Sequence, residues 1–241
     1  MKKIIFLHHS TGKNIWLGKT SRYANKLFNK SDVRDFFAKY NRQNNTAYHI
    51  REQKFPKESP YGWKNNPFDY YNIWVKHSGP GHYLGEPTLE TLTRDYDTII
   101  FKHCYPASRI LPDSNSPDIN SEIKTLQNYR LQYNALKEKM HEFPDNKFIV
   151  WTPAVFLKNQ MTADEAKRTQ EFHHWLINDW NEKGDNIFIW DFYMYETNGS
   201  LYMVDEYSEG PSNSHPNKEF SKRISPLFSK FVIDVLEGRA E

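Results

Sequence analysis

Four short apolar segments, separated by long stretches of helical periodicity, constrain the fold of this chain more than any other feature. They comprise residues 3–7, 98–102, 147–152 and 186–190, and a weaker fifth candidate spans 47–51. Each segment is continuously apolar rather than alternating, which is typical of strands in a parallel sheet that helices cover on both faces. The sequence therefore predicts one buried sheet built from these segments.

Helical patterns occupy the intervals between the predicted strands. Apolar residues recur at spacings of three and four from Ile119 to Met140, which indicates an amphipathic helix. A second helix is predicted to begin near Thr162, where Glu165 follows three residues later as in a capping box. A third follows Pro216 near the end of the chain. Each helix is long enough to cross back over a parallel sheet.

Strands that alternate with such helices favour an α/β fold with three α/β/α layers and a flavodoxin-like, doubly wound parallel sheet. We expect residues 1–241 to form a single domain of this class. One segment departs from the pattern, because residues 55–87 are rich in Pro, Gly, Asn and aromatic side chains. Long irregular segments in compact domains are often functional, so we expect this loop-rich insertion to shape a substrate site.

Composition excludes several classes of protein. The formal net charge is only +2, from 32 basic and 30 acidic residues, and the basic residues are scattered, so nucleic-acid binding is not expected. Cys104 is the single cysteine, so the fold does not depend on an internal disulfide. The N-terminal apolar run is too short for a signal peptide, and no segment is long enough to span a membrane. We expect a cytoplasmic protein without a cofactor.

Two residues at opposite ends of the chain are candidates for nucleophilic catalysis. Ligands of an open parallel sheet bind at the carboxyl ends of its strands, and Ser10 directly follows the first predicted strand. A serine there can attack an acyl group if a histidine accepts its proton, and Gly12 suits the turn that exposes it. His215 lies in a polar loop just before the last helix. We expect Ser10 and His215 to meet at one site.

These two segments resemble the first and last sequence blocks of the SGNH/GDSL hydrolase superfamily. His8-His9-Ser10 stands where the family has Gly-Asp-Ser after the first strand, and Ser214-His215-Pro216 resembles its Asp-x-x-His-Pro block. The resemblance implies a flavodoxin-like fold and hydrolysis of an ester, often an acyl or acetyl group on a carbohydrate or lipid. In that interpretation Ser10 is the nucleophile and His215 is its base.

Other positions depart from the family pattern. Its acidic residue three before the histidine is Ser212 here, so Ser212 itself, Asp205 or Asp191 is a candidate for orienting His215. The family's glycine and asparagine oxyanion donors are not evident either. Gly62 is the candidate to replace the glycine, and Ser108 or the backbone amides of Cys104 and Tyr105 are the candidates to replace the asparagine.

Three further residues, His9, Trp63 and Tyr105, are predicted to shape the substrate site. The missing acid also leaves an alternative open, in which the chain binds a glycan or another ligand without turning it over. The aromatic side chains of the insertion would then supply a stacking surface, formed by Tyr61, Trp63, Tyr70, Tyr71 and Trp74.

Two further chemistries are less favoured by the sequence. Cys104 could act as the nucleophile with His103 or His215, although a cysteine after a buried strand is more often an inert small hydrophobe. The histidine doublets 8–9 and 173–174 do not form natural chelates, because adjacent side chains diverge on both strands and helices. The second doublet is predicted to lie on a helix surface, and no metal site is expected.

Overall fold

The computed structural model describes residues 1–240. In chain order its strands and α-helices are β1 (Lys2–His8), α1 (Ser10–Leu17), α2 (Arg22–Phe28), α3 (Asp32–Asn44), β2 (Tyr48–Lys54), α4 (Pro67–Tyr71), β3 (His82–Tyr83), β4 (Glu86–Pro87), α5 (Leu89–Asp95), β5 (Thr98–Phe101), α6 (Leu126–His141), β6 (Lys147–Trp151), α7 (Ala163–Trp175), β7 (Ile187–Trp190), α8 (Phe192–Thr197), β8 (Ser208–Gly210), β9 (Asn213–Pro216) and α9 (Lys218–Leu236). Short π-helices extend α4 and α7, at Asn72–Lys76 and Leu176–Trp180.

A five-stranded parallel sheet lies at the centre, in the order β2-β1-β5-β6-β7. The second strand along the chain lies outside the first, and the remaining three follow in sequence, which is the flavodoxin-like order. In the register, Ile4 of β1 pairs with Ile50 of β2 on one side and with Thr98 of β5 on the other. The predicted three-layer α/β/α class is therefore confirmed.

Side chains of β1 divide between two cores, one on each face of the sheet. Ile4 and Phe6 pack into the core beneath α1, α3 and α9, whereas Ile5 and Leu7 pack into the core beneath α6 and α7. Successive side chains of a strand point to opposite faces, so a continuously apolar strand serves both cores at once. Each such burial contributes about 1.5–3 kcal/mol.

Local signals set the helix starts. The predicted capping box is present, since the Thr162 hydroxyl accepts from the Glu165 N–H and the Glu165 carboxylate accepts from the Thr162 N–H. The helix expected from Ile119 begins later, at Leu126, because Thr125 caps it there. The seven preceding residues are not helical, and this part of the prediction was wrong.

The segment 55–87 covers the sheet rather than presenting an aromatic surface. Tyr70 and Trp74 are fully buried, and Trp63 and Tyr71 are each 8% exposed. The Tyr70 and Trp74 rings meet edge to face at 5.0 Å. Of the five aromatic residues predicted to form a stacking surface, only Tyr61 is exposed, at 46%. That prediction was wrong for the other four, because the core draws large apolar rings out of water.

No helix within residues 1–240 combines the length and the apolar character that a membrane crossing requires.

Candidate active site

The structure brings Ser10 and His215 together at the carboxyl edge of the sheet. Ser10 is the first residue of α1, directly beyond the end of β1, and His215 lies on the short strand β9. The Oγ of Ser10 lies 2.7 Å from the Nε2 of His215. Ser10 is exposed and His215 is partly buried, so the hydroxyl is accessible while the imidazole is held by its surroundings.

Asn213 orients the imidazole from its other side. Its Oδ1 lies 2.6 Å from the Nδ1 of His215, and an amide oxygen can only accept, so Nδ1 carries the proton. The Nε2 of neutral His215 is then free to accept the proton of Ser10. Sequence reasoning missed Asn213, although a signal was present: residues i and i+2 of a strand share one face.

The carboxylate of Glu209 contacts Asn213 but not His215. The Nδ2 of Asn213 donates to Oε2 of Glu209 at 2.9 Å, and the Nδ2 of Asn14 donates to the other carboxylate oxygen at 3.0 Å. Glu209 lies in the antiparallel β8–β9 hairpin, at an irregularity in the register between Ser208 and Gly210. The result is a continuous chain of contacts from Ser10 through His215 and Asn213 to Glu209.

The three residues predicted to orient His215 lie elsewhere, and their assignment is corrected. Ser212 uses its backbone carbonyl to accept from Gln160, and the carbonyl of Asp205 accepts from Ser208. Within residues 1–240 neither side chain forms a hydrogen bond with His215. The tight β8–β9 turn places the acceptor two residues before the histidine rather than three.

Asp191 contacts His173 of helix α7 rather than His215. Its carboxylate lies 2.9 Å from the Nε2 of His173 and accepts from Thr152 at 3.0 Å. His173 is only 5% exposed, so the prediction that it lies on a helix surface was wrong. A buried imidazole needs a polar partner, and Asp191 supplies one.

Burial lowers the pKa of His215 below its usual value. The main cause is loss of hydration of the imidazolium, and the positive charges of Lys102 and Arg22 act in the same direction. The Glu209 carboxylate opposes them by favouring the protonated ring. The net effect keeps His215 neutral at neutral pH, the form in which it can act as a base.

Neither Gly62 nor Ser108 is free to act as an oxyanion donor. The Gly62 N–H donates to the carbonyl of Glu58, and the Ser108 hydroxyl donates to the carbonyl of Tyr105 at 2.7 Å. The N–H of Cys104 is also occupied, by Oδ1 of Asn65 at 2.6 Å. The N–H groups of the first helical turn have no partner within a helix, so those at the amino end of α1, where Ser10 lies, are the remaining candidates.

Gly12 is required for a different reason than the sequence suggests. It lies inside helix α1, where its backbone does not adopt the left-handed region. A Cβ at this position would lie 2.5 Å from the Cβ of His8 and 3.0 Å from the Cδ of Lys102. The absence of a side chain thus allows α1 to approach β1 and β5 closely, which sets the position of Ser10.

Gly12→Ala is expected to destabilise the fold by about 1–3 kcal/mol, the usual cost of overpacking a rigid contact. The clash is with a Cβ rather than with a flexible end, so His8 cannot simply rotate away. Chemical denaturation of the purified variant measures this free energy of unfolding. Gly81→Ala, where the backbone is outside the left-handed region and a Cβ would meet nothing, is the control for steric overlap. Equal stability of wild type and Gly12→Ala would contradict this account.

The structure places the three residues predicted to shape the substrate site in different surroundings. The ring of Tyr105 meets that of His215 edge to face at 4.9 Å. The Nε2 of His9 donates to the carbonyl of Pro56 at 2.6 Å, and burial lowers the pKa of His9 to about 4, so this ring is neutral. Trp63 instead packs against other aromatic rings in the 55–87 segment. Tyr105 therefore lies beside His215, and His9 directly precedes Ser10 in the chain.

A polar groove opens at Ser10, with a volume of about 620 Å³. Its wall includes Lys13, Glu52, Lys54 and Glu58. Glu52 also approaches His8, with 3.0 Å between carboxylate and ring nitrogen. Every residue that lines the groove carries a charged or hydrogen-bonding group, which can meet the hydroxyls of a polar molecule.

A thiol and a buried ammonium group lie beneath the site. Cys104 Sγ is 3.9 Å from the Oγ of Ser10 and 3.7 Å from the Nζ of Lys102. Burial lowers the pKa of Lys102, whose side chain is enclosed beneath α1. The Nδ1 of His103 is directed at the carbonyl of Asn65 instead, so no Cys104–His103 pair forms. His215 contacts the serine, which makes Ser10 the better placed nucleophile.

Potential metal ligands gather at the opposite edge of the sheet. Within residues 1–240, His141, Glu182 and Asp185 form the one group of three whose ligand atoms lie within 4.8 Å of one another. His141 pairs with Asp185 at 2.9 Å, and Glu182 pairs with Lys137 at 2.6 Å. The protein itself therefore balances these charges, and the group is remote from Ser10.

Comparisons with known proteins add a likeness of fold. No family model and no curated protein matches this chain. Among solved structures, the chain is similar to one described as "BT4096 a gut microbial diltiazem-metabolizing enzyme", with a TM-score of 0.52 and 11% sequence identity. The match covers 95% of this chain and 46% of the other, so this chain spans less than half the length of that protein. At this identity the likeness concerns the fold.

Proposed function

We propose that this chain is a serine hydrolase of the SGNH type that cleaves esters through Ser10 and His215. The observation that carries the proposal is the 2.7 Å contact between the Ser10 hydroxyl and the Nε2 of His215. The hydroxyl is exposed, and the opposite ring nitrogen is held by Asn213. A nucleophile, a base and a group that orients the base form the arrangement that acyl transfer requires.

In the proposed reaction, Ser10 Oγ attacks the ester carbonyl while its proton passes to the Nε2 of His215. The tetrahedral intermediate collapses to an acyl-enzyme, and the imidazolium gives the proton to the departing alcohol. Water then attacks the acyl-enzyme with His215 again as base, which releases the acid and restores Ser10. Atoms and charge balance over the cycle, and no other reactant is needed.

Asn213 would act here as asparagine does in Cys-His-Asn proteases, by fixing the tautomer without carrying charge. The Glu209 carboxylate beyond it then stabilises the imidazolium from one residue further away. The Ser10 N–H at the amino end of α1 is the proposed donor to the oxyanion, supported by the helix dipole. The Nζ of the buried Lys102 lies 3.7 Å from the Sγ of Cys104, which is itself 3.9 Å from the Oγ of Ser10.

The polar groove supports esters in which the alcohol is hydrophilic. We therefore propose a short acyl or acetyl group on a carbohydrate as the substrate class. Lys13, Lys54 and Glu58 would meet sugar hydroxyls in the groove that opens at Ser10. Comparison of kcat/KM for acetylated sugars against long-chain aryl esters tests this part separately.

The direct test uses a short-chain aryl acetate together with a fluorophosphonate probe. Wild type should hydrolyse the aryl acetate, and the probe should inactivate it with one covalent adduct on the peptide that contains Ser10. Prior treatment with the aryl acetate should slow the labelling. An adduct on Cys104, or ligand binding with neither turnover nor labelling, would contradict the proposal and favour a binding protein.

The pH profile should follow the shifted ionisation of His215. Because burial lowers the pKa of His215 from 6.5, the neutral base persists to more acidic pH than in a free histidine. We expect kcat/KM to stay on its plateau at pH 7 and to fall to half at a pH below 6.5. Glu209→Gln removes a charge that favours protonation, so its acidic limb should move to still lower pH. An acidic limb with its midpoint above pH 6.5 would contradict the assignment of His215 as the base.

A further inference from the structure

Helix α2 (Arg22–Phe28) contributes no buried residue to the protein. Its three large apolar side chains are among the most exposed of the described chain: Tyr23 is 72% exposed, Phe28 65% and Leu27 54%. Ser21 caps the amino end of the helix, and Asn29 ends it in the left-handed conformation. The helix is therefore well formed, yet its apolar side chains face water.

The amphipathicity of α2 is inverted relative to a normal surface helix. At about 100° per residue, Tyr23, Ala24, Leu27 and Phe28 share one arc. The opposite arc holds the contacts with the rest of the protein, since Asn25 accepts from Lys13 at 2.7 Å and Arg22 donates to Asn14 at 3.3 Å. A surface helix normally buries its apolar arc, so this one presents its arc to an external partner.

The charges around this arc have one sign. The stretch from Lys19 to Lys30 includes four cationic residues and no acidic residue: Lys19, Arg22, Lys26 and Lys30. Within residues 1–240, Lys19, Lys26 and Lys30 form no ion pair, and all three are exposed. The next acid along the chain, Asp32, accepts from the Thr20 hydroxyl and the Lys19 N–H. The surface is thus apolar and flanked by cations.

We propose that α2 docks this protein on an anionic lipid bilayer. Aromatic and aliphatic side chains beside lysines are the combination that binds the boundary between headgroups and acyl chains. A second copy of the chain is a poorer occupant, because two-fold pairing of α2 would bring the same cations against one another. The protein would lie on the bilayer and not cross it.

This docking would place the Ser10 groove near the membrane surface. Lys13, the partner of Asn25 on α2, also lines that groove. The inference goes beyond the proposed hydrolysis and does not depend on it, because vesicle binding can be measured without any turnover. If both hold, the substrate is an ester presented at the membrane–water boundary.

The test is co-sedimentation of the full chain with vesicles. Vesicles of phosphatidylcholine with about 30 mol% phosphatidylserine should bind wild type, whereas pure phosphatidylcholine should bind it at least about tenfold more weakly. The variant Tyr23→Ser/Leu27→Ser/Phe28→Ser should lose binding by at least about tenfold, and so should Lys26→Glu/Lys30→Glu. The matched control is Ile123→Ser/Leu131→Ser/Leu227→Ser, which removes three exposed apolar side chains elsewhere and should bind like wild type.

Three results would overturn the inference. The first is that wild type fails to bind the anionic vesicles. The second is that the α2 variant binds as well as wild type. The third is a wild-type dimer, seen by analytical ultracentrifugation without lipid, that the α2 variant alone converts to monomer. Because α2 buries nothing, its variants should keep the thermal midpoint of wild type, and this checks that they are folded.

Discussion

Ser10→Ala is expected to lower kcat/KM for an aryl acetate by at least about 10³-fold, and His215→Gln by a similar factor. In the proposed mechanism, the alanine removes the atom that would form the acyl-enzyme, and the glutamine removes the imidazole nitrogen that lies 2.7 Å away. Because the two groups act as a unit, the double variant should lose no more than the worse single variant. Steady-state kinetics on all three variants measures these losses.

A serine of the same region provides the matched control. Ser212 lies close in sequence to His215 but contributes only its carbonyl to a hydrogen bond with Gln160. Ser212→Ala should therefore retain wild-type kcat/KM and the wild-type thermal midpoint. Ser10 is exposed, so Ser10→Ala should also keep its stability. Turnover by Ser10→Ala within tenfold of wild type would remove serine chemistry from this site.

The architecture was readable from the sequence because its signals are local. Continuous apolar strands and long amphipathic helices repeat along the chain, and they could pack only as a parallel sheet between helical layers. The start of α6 was misread because Ile123 continues the helical spacing, although its side chain is 59% exposed. Spacing reports where apolar residues recur, whereas the cap at Thr125 decides where the helix begins.

Only part of the site could be predicted from the sequence, because its polar contacts depend on the tertiary structure. Ser10 and His215 could be proposed from their positions relative to predicted strands. Asn213 and Glu209 depend on the β8–β9 hairpin, whose strands are too short to predict from composition. The burial of Lys102 could not be predicted either. Lys102 ends a predicted strand, and nothing in the sequence shows that its ammonium is buried beneath α1.

The role of the aromatic segment 55–87 also could not be predicted from the sequence alone. A run of tyrosine and tryptophan is compatible with a core or with a binding surface, and only tertiary packing separates the two. Here Tyr70 and Trp74 pack against Phe101 of the sheet, and Phe55 packs against Tyr70. The binding alternative, which the missing acid left open, therefore lacks the stacking surface predicted for it.

Asn213→Ala is expected to lower kcat by about 10²-fold, which corresponds to about 2.7 kcal/mol of transition-state stabilisation. Without the Oδ1 atom, nothing favours the tautomer with the proton on Nδ1, so the ring can present Nε2–H to the serine in place of a lone pair. The ring also loses its main restraint, and the 2.7 Å contact with Ser10 should be populated less often. KM should change little, because Asn213 does not line the groove.

Two comparison variants distinguish the orientation of His215 by Asn213 from a general loosening of the β8–β9 hairpin. Asn159→Ala removes an asparagine that holds the same hairpin through the Pro211 carbonyl without contact to His215, and it should keep kcat near that of wild type. Asn213→Asp keeps an acceptor for Nδ1 but places a second carboxylate against Glu209. Its added negative charge should raise the pKa of His215 and move the acidic limb to higher pH. Equal kcat for Asn213→Ala and wild type would show that the imidazole needs no orienting partner.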